Sequence, residues 1–76
     1  MQPLTKAELA ELMEDAKVGF LPPNAKELAE RAEAAAKAEQ YGHAMQAFKA
    51  IANGLRRGDA KIVYDFAEKL VNYYLP

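Results

Sequence analysis

The apolar residues of this chain recur at intervals of three and four positions, in four stretches set apart by glycine, proline and asparagine, so the sequence predicts helices and no strand. In the first stretch Leu9, Leu12, Met13 and Ala16 share one face, and Thr5 with Glu8 three residues later is a capping-box signature at its start. A helix is expected over residues 5–17. "VGFLPP" breaks the pattern: Gly19 tolerates a positive φ, Pro22 and Pro23 cannot continue a helix, and Phe20 and Leu21 are expected to tuck under the bundle. A second capping box, Asn24 with Glu27, opens "AKELAERAEAAAKAEQ", whose residues are strong helix formers and predict a helix over 24–40.

Gly42 suits the left-handed position after that helix. A third is expected over 43–57, with Tyr41, Ala44, Met45, Phe48, Ile51, Ala52 and Leu55 on one side and Gly58 as its stop. Asp59 caps a fourth over 59–75, and Pro76 closes it. Four amphipathic helices joined by turns predict a single domain over 1–76, an all-α, up-and-down four-helix bundle. Its core is expected to join Phe48, Ile51, Leu55, Phe66 and Leu70 to Leu9, Leu12 and Leu28.

Two places depart from what helix stability alone selects, and the second helix raises a separate question of packing. Gly54 costs about 1 kcal/mol relative to alanine inside a helix. Because Leu55 continues the stripe from Ile51, Gly54 is expected within the third helix, on its polar side, aligned with His43, Ala47 and Ala50 in a strip of low bulk. The rival account makes Gly54 the left-handed residue that ends the helix, with Leu55 folding back. The fourth helix has an apolar arc wider than one neighbour covers: Tyr64, Val71 and Leu75 extend it beyond Ile62, Val63, Phe66, Ala67, Leu70, Tyr73 and Tyr74. Either this helix is contacted from two sides, or it exposes a tyrosine-bearing patch. The second helix turns inward only Leu28 and the alanines 25, 29, 32, 35 and 36, which suits close approach of its neighbours. The alternative is a pocket lined by those alanines with Phe48, Phe66 and the tyrosines, Glu39 supplying a polar contact.

Composition narrows the function classes. Seventy-six residues make one small domain; without cysteine there is no disulfide or thiolate chemistry, and one histidine cannot build a multi-histidine zinc site. A net charge of −1 argues against nucleic acid, and no apolar run reaches the length of a membrane helix. The amino-terminal stretch lacks the basic-then-apolar order of a signal peptide, so a soluble chain with no targeting signal is expected. Charge is uneven: residues 1–39 hold five basic and eight acidic side chains, residues 40–76 five and three, so two helical hairpins of opposite sign are expected to attract each other. His43 has no carboxylate fixed beside it by spacing and reads as a turn residue, and Glu8, Glu11, Glu14 and Asp15 read as a solvated cluster near a helix start. No enzyme activity, cofactor or metal is expected.

The capping boxes, the alanine–glutamate–lysine filler, the "YGHA" turn and the "RRGD" turn with glycine before an aspartate cap resemble the habits of computationally designed helical miniproteins. The resemblance is one of style and covers most of the chain. It implies a monomeric protein made to bind a chosen protein through two adjacent helices. The residues that stability alone does not explain put that surface on the third and fourth helices, at Gln46, Lys49, Ala50, Asn53, Gly54, Arg57, Tyr64 and Val71; the alternative is an ordinary solvated face with one tolerated glycine. The runner-up is a scaffold without a partner, with or without the small-molecule pocket on the alanine face.

Overall fold

The computed structural model describes residues 1–39 and 42–74. Within them the chain forms four α-helices, α1 (Lys6–Lys17), α2 (Ala25–Glu39), α3 (His43–Arg57) and α4 (Ala60–Tyr74). The expected inward position of Tyr41, the last residue of the second helix at Gln40, and the tail at Leu75 and Pro76 lie outside the described residues. α2 packs on α3, α3 on α4 and α4 on α1, which makes an all-α four-helix bundle. No described helix is long and apolar enough to cross a membrane.

Local chemistry starts and stops the helices. The Thr5 hydroxyl accepts the Glu8 N–H at 3.1 Å and the Glu8 carboxylate accepts the Thr5 N–H at 3.0 Å, so the first capping box forms. The second does not. No side-chain hydrogen bond joins Asn24 to Glu27 among the described residues; the Ala25 N–H donates to the Pro22 carbonyl, a turn that takes up a donor freed at the helix start. Gly42 has the positive φ expected of a glycine there, with φ +100° and ψ −169°, and is the N-cap of α3. α3 ends in a Schellman motif: Gly58 is left-handed at φ +70°, its N–H donates to the Leu55 carbonyl, and the Asp59 N–H donates to the Gly54 carbonyl at 2.9 Å. Asp59 then caps α4 by accepting the Ile62 N–H at 3.2 Å.

The core runs through Leu9 and Leu12 of α1, Phe48, Ile51 and Leu55 of α3, and Val63, Ala67 and Leu70 of α4, with Ala29, Ala32, Ala35 and Ala36 of α2 buried against it. Two expected core residues differ. Leu28 is only partly buried, and Phe66 is half-buried on the flank of α4 that faces α3, because Val63 and Ala67 occupy the axis of the contact. Phe20 is 52 % exposed instead of tucked under the bundle, since the Schellman-like end of α1, with the Phe20 N–H on the Asp15 carbonyl, directs its backbone along the surface. α4 is contacted from both sides, by α3 and by α1, which accounts for its wide apolar arc.

Among the described residues no Cα atoms of α1 and α2 approach within 8 Å. The gap is closed by residues 1–4. Leu4 is buried, its N–H donates to the Arg31 carbonyl at 3.1 Å, and the Arg31 guanidinium reaches back to the Gln2 carbonyl and to Glu8. Leu4 precedes the N-cap and Leu9 is the fourth helical residue, the two positions of a hydrophobic staple, and both are in the core cluster. The bundle measures 29 × 27 × 17 Å, wider than it is thick, as suits a bundle spread along one side.

Candidate functional site

Gly54 lies inside α3, as the run through Leu55 predicts, but it is buried and not on an exposed polar face. A Cβ there would stand 3.0 Å from Ile62 Cγ2, 3.0 Å from Val63 Cγ2 and 3.3 Å from the Asp59 carbonyl oxygen. The Schellman motif folds the chain back so sharply that the first turn of α4 lies directly on Gly54. The glycine serves the α3/α4 contact, and no outside backbone approaches it there. Ala47, on the same strip, is buried farther along, beside Phe66 and Leu70 of α4, and Ala50 is half-buried.

The remaining expected surface residues divide into two groups. Gln46, Lys49, Asn53 and Arg57 are exposed, and their spacings of three, four, seven and eleven bring them together on the outer side of α3. Tyr64 and Val71 are half-buried and seven residues apart, on the other flank of α4. The Tyr64 hydroxyl donates to Glu68 at 2.8 Å, and the carboxylates of Glu68, Glu14 on α1 and Asp65 raise its pKa, the Glu68 hydrogen bond most. Tyr64 therefore belongs to the α1 side and shares no surface with Gln46.

What stands beside Gln46 instead is a furrow of about 220 Å³ between α3 and α4, with Ala47 and Leu70 in its floor and His43, Phe66, Lys69 and Tyr73 along it. Phe66 and Tyr73, seven residues apart, share the α3-facing flank of α4, and Tyr73 is 67 % exposed. The Lys69 ammonium stands 4.7 Å from the Phe66 ring centroid, within cation–π range. Sequence reasoning assigned Phe66 and Tyr73 to packing. The signal that separates them from the core is that Val63, Ala67, Leu70 and Tyr74 already complete an inward stripe without them.

A second concavity, of about 410 Å³, opens at the end of the bundle where α1 begins and α2 and α4 end. Ala35, Ala38 and Glu39 of α2 line it with Leu4, Phe48 and Tyr74. The Tyr74 hydroxyl donates to Glu39, and the Lys6 ammonium lies 4.9 Å from the Tyr74 ring centroid. Burial, and then the Glu39 hydrogen bond, push the Tyr74 hydroxyl up to about 12. Of the residues expected around an alanine-lined pocket, Ala35, Glu39 and Phe48 are here, while Ala29 and Ala32 are fully packed and Phe66 lies in the other furrow.

Among the described residues no group of three or more His, Cys, Asp or Glu side chains is placed to hold a metal ion. Comparison with models of protein families, with curated proteins and with solved structures finds no match to this chain.

Proposed function

We propose that this is a non-enzymatic helical miniprotein of designed origin that binds a protein partner through the surface of α3 and the adjoining flank of α4. The observation that carries the reading is Tyr73, an aromatic side chain two-thirds exposed at the mouth of a furrow whose floor is apolar and whose edges, at Gln46 and Lys69, are polar. A centre of aromatic and small apolar groups inside a polar rim is the anatomy of a protein interface. The regular capping at Thr5 and Asp59 and the glycine stop at Gly58 support the designed origin. The test is binding of candidate target proteins to the immobilised chain and to Tyr73→Asp. A target held by the parent and lost by the variant, with unchanged thermal melting, supports the reading; a target held equally by both rejects this surface.

The concavity at the bundle end favours a second reading, a small-molecule site on the alanine face of α2. Its apolar walls and single carboxylate suit a small aromatic ligand. Titration with benzylamine and with benzoate, followed by amide NMR, should shift Leu4, Ala35 and Ala38; unmoved resonances reject it.

A further inference from the structure

We infer that the exposed connection between α1 and α2 is a cleavage site for an endoprotease that recognises a bulky apolar side chain, and that the chain cut there stays one folded particle, with the strap and α1 held as a separate peptide. Among the described residues the large apolar side chains that stand exposed are Met1, Val18, Phe20 and Tyr73. Met1 begins the given sequence, and Tyr73 lies within α4, where a helical backbone does not fit the extended cleft of a protease. Val18 and Phe20 remain, both in the seven-residue connection between Lys17 and Ala25. Exposed connections with few contacts are where nicking concentrates. The hydrogen bonds that shape this one are local: the Val18 and Phe20 N–H groups donate to the Asp15 carbonyl and the Gly19 N–H to the Ala16 carbonyl, so it can open without the core. In the cut, water adds across the peptide bond before Val18 or Phe20. The C–N bond breaks, the water oxygen joins the new carboxylate of Lys17 or Gly19, and the amine left on Val18 or Phe20 takes the proton.

The particle survives because the connection is not what holds α1. α1 packs on α4 and buries Leu9, Leu12 and Ala16, while it makes no close backbone approach to α2 among the described residues. The strap adds a second hold across the cut: the Leu4 N–H donates to the Arg31 carbonyl, and the Arg31 guanidinium donates to the Gln2 carbonyl and the Glu8 carboxylate. Beyond the cut, Leu21 packs against the core and the Ala25 N–H keeps its Pro22 carbonyl, so the start of α2 is undisturbed. Cleavage turns an intramolecular contact into a bimolecular one and removes the effective concentration that the connection supplies. The α1-facing flank of α4 and the Arg31 edge of α2 then form a docking surface whose occupant is the peptide 1–17 or 1–19.

The test is limited digestion of the full chain with thermolysin, read by mass spectrometry and by size-exclusion chromatography. The first cut between helices should fall before Val18 or Phe20, at a rate that stays nearly level in urea below the unfolding transition, since a local opening suffices. Val18→Ser with Phe20→Ser, both at exposed positions, should lose this cut and keep the melting temperature of the parent. The nicked chain should elute as one particle at the mass of the intact chain, come apart in denaturant and re-form on its removal. Its melting temperature, unlike that of the intact chain, should fall on about tenfold dilution. A first cut elsewhere, residues 40–42 included, or a rate that climbs with urea as steeply as global unfolding, overturns the cleavage site. Fragments that part in native buffer overturn the retained assembly and show that the connection, not the strap and α4, holds α1.

Discussion

α1 and α3 end alike, with a glycine at positive φ and backbone bonds folding the chain back, yet the connections that follow build opposite kinds of contact. After α3, Gly58 and Asp59 suffice to start α4, and two helices joined so tightly must touch at their first turn. A Cβ on Gly54 would stand 3.0 Å from a methyl of Ile62 and of Val63 there, so a larger residue would make those neighbours give way. After α1, residues 18–24 intervene, Val18 is 81 % exposed, and α1 and α2 stay apart. That side is held by reach: Leu4 fills the gap and Arg31 ties the strap to Glu8. Short turns demand small residues at the contact, whereas a long one leaves space that a separate segment must fill.

The largest effects come from deleting the apolar filling on each side. Ile51 is fully buried between helices, so Ile51→Ala should destabilise by about 3 to 4 kcal/mol. Leu4→Ala, at the end of a segment that can relax outward, should destabilise by about 2 kcal/mol. Denaturant melts of both variants check the ranking, and a Leu4→Ala effect below about 0.5 kcal/mol would mean that the strap does not hold α1 and α2 together.

Gly54→Ala sets two terms against each other. Alanine gains about 1 kcal/mol in helix propensity, but its methyl group meets two stiff β-branched side chains and the Asp59 carbonyl oxygen, and overpacking of this kind costs about 1 to 3 kcal/mol. The expected net is a destabilisation of about 1 kcal/mol. The reverse sign, a gain expected of an exposed glycine, would show that α4 can withdraw from α3 at no loss. Gly54→Ala together with Ile62→Ala should recover part of the difference if the Ile62 methyl is the obstacle.

An effect of similar size is expected of the polar latch. The Arg31 hydrogen bond first, and then the Thr5 backbone, hold the Glu8 carboxyl at about 2 against an ordinary 4.5. The unfolded chain therefore takes up this proton at higher pH than the folded one. The stabilisation is complete above pH 4.5 and is lost as pH falls toward 2. With a side chain about a third exposed, water screening reduces the contribution to about 1 kcal/mol. Thermal melts of the parent chain and Glu8→Gln should differ at neutral pH and converge at the acid end; parallel curves would show that the latch carries no stability.

The Gly54 and Leu4 cases mark how far the sequence was legible. Helix number and type, and the bounds that fall on described residues, were readable to within a residue, because the three-to-four period and the Thr5, Gly58 and Asp59 signals are local. Leu4 was readable in principle as the outer half of a staple with Leu9, a signal the helix pattern hid by starting after it. The proposed surface was legible only on α3, where Gln46, Lys49, Asn53 and Arg57 fall together by spacing alone. Which flank of α4 joins them was not, since a wide apolar arc fits neighbours on either side, and the structure sets Phe66 and Tyr73 beside α3 and Tyr64 and Val71 toward α1.

By itself, then, the sequence determined where helices begin and end and which stripe of each is apolar, because those are properties of neighbouring residues and of the helical repeat. Tertiary structure alone decided what small residues are for. Alanine and glycine have no side chain long enough to declare a direction, so Gly54 reads equally as an open surface or a close contact until α4 is laid on it. The alanines of α2 are likewise ambiguous until packing separates Ala29 and Ala32, fully buried, from Ala38 at an open concavity.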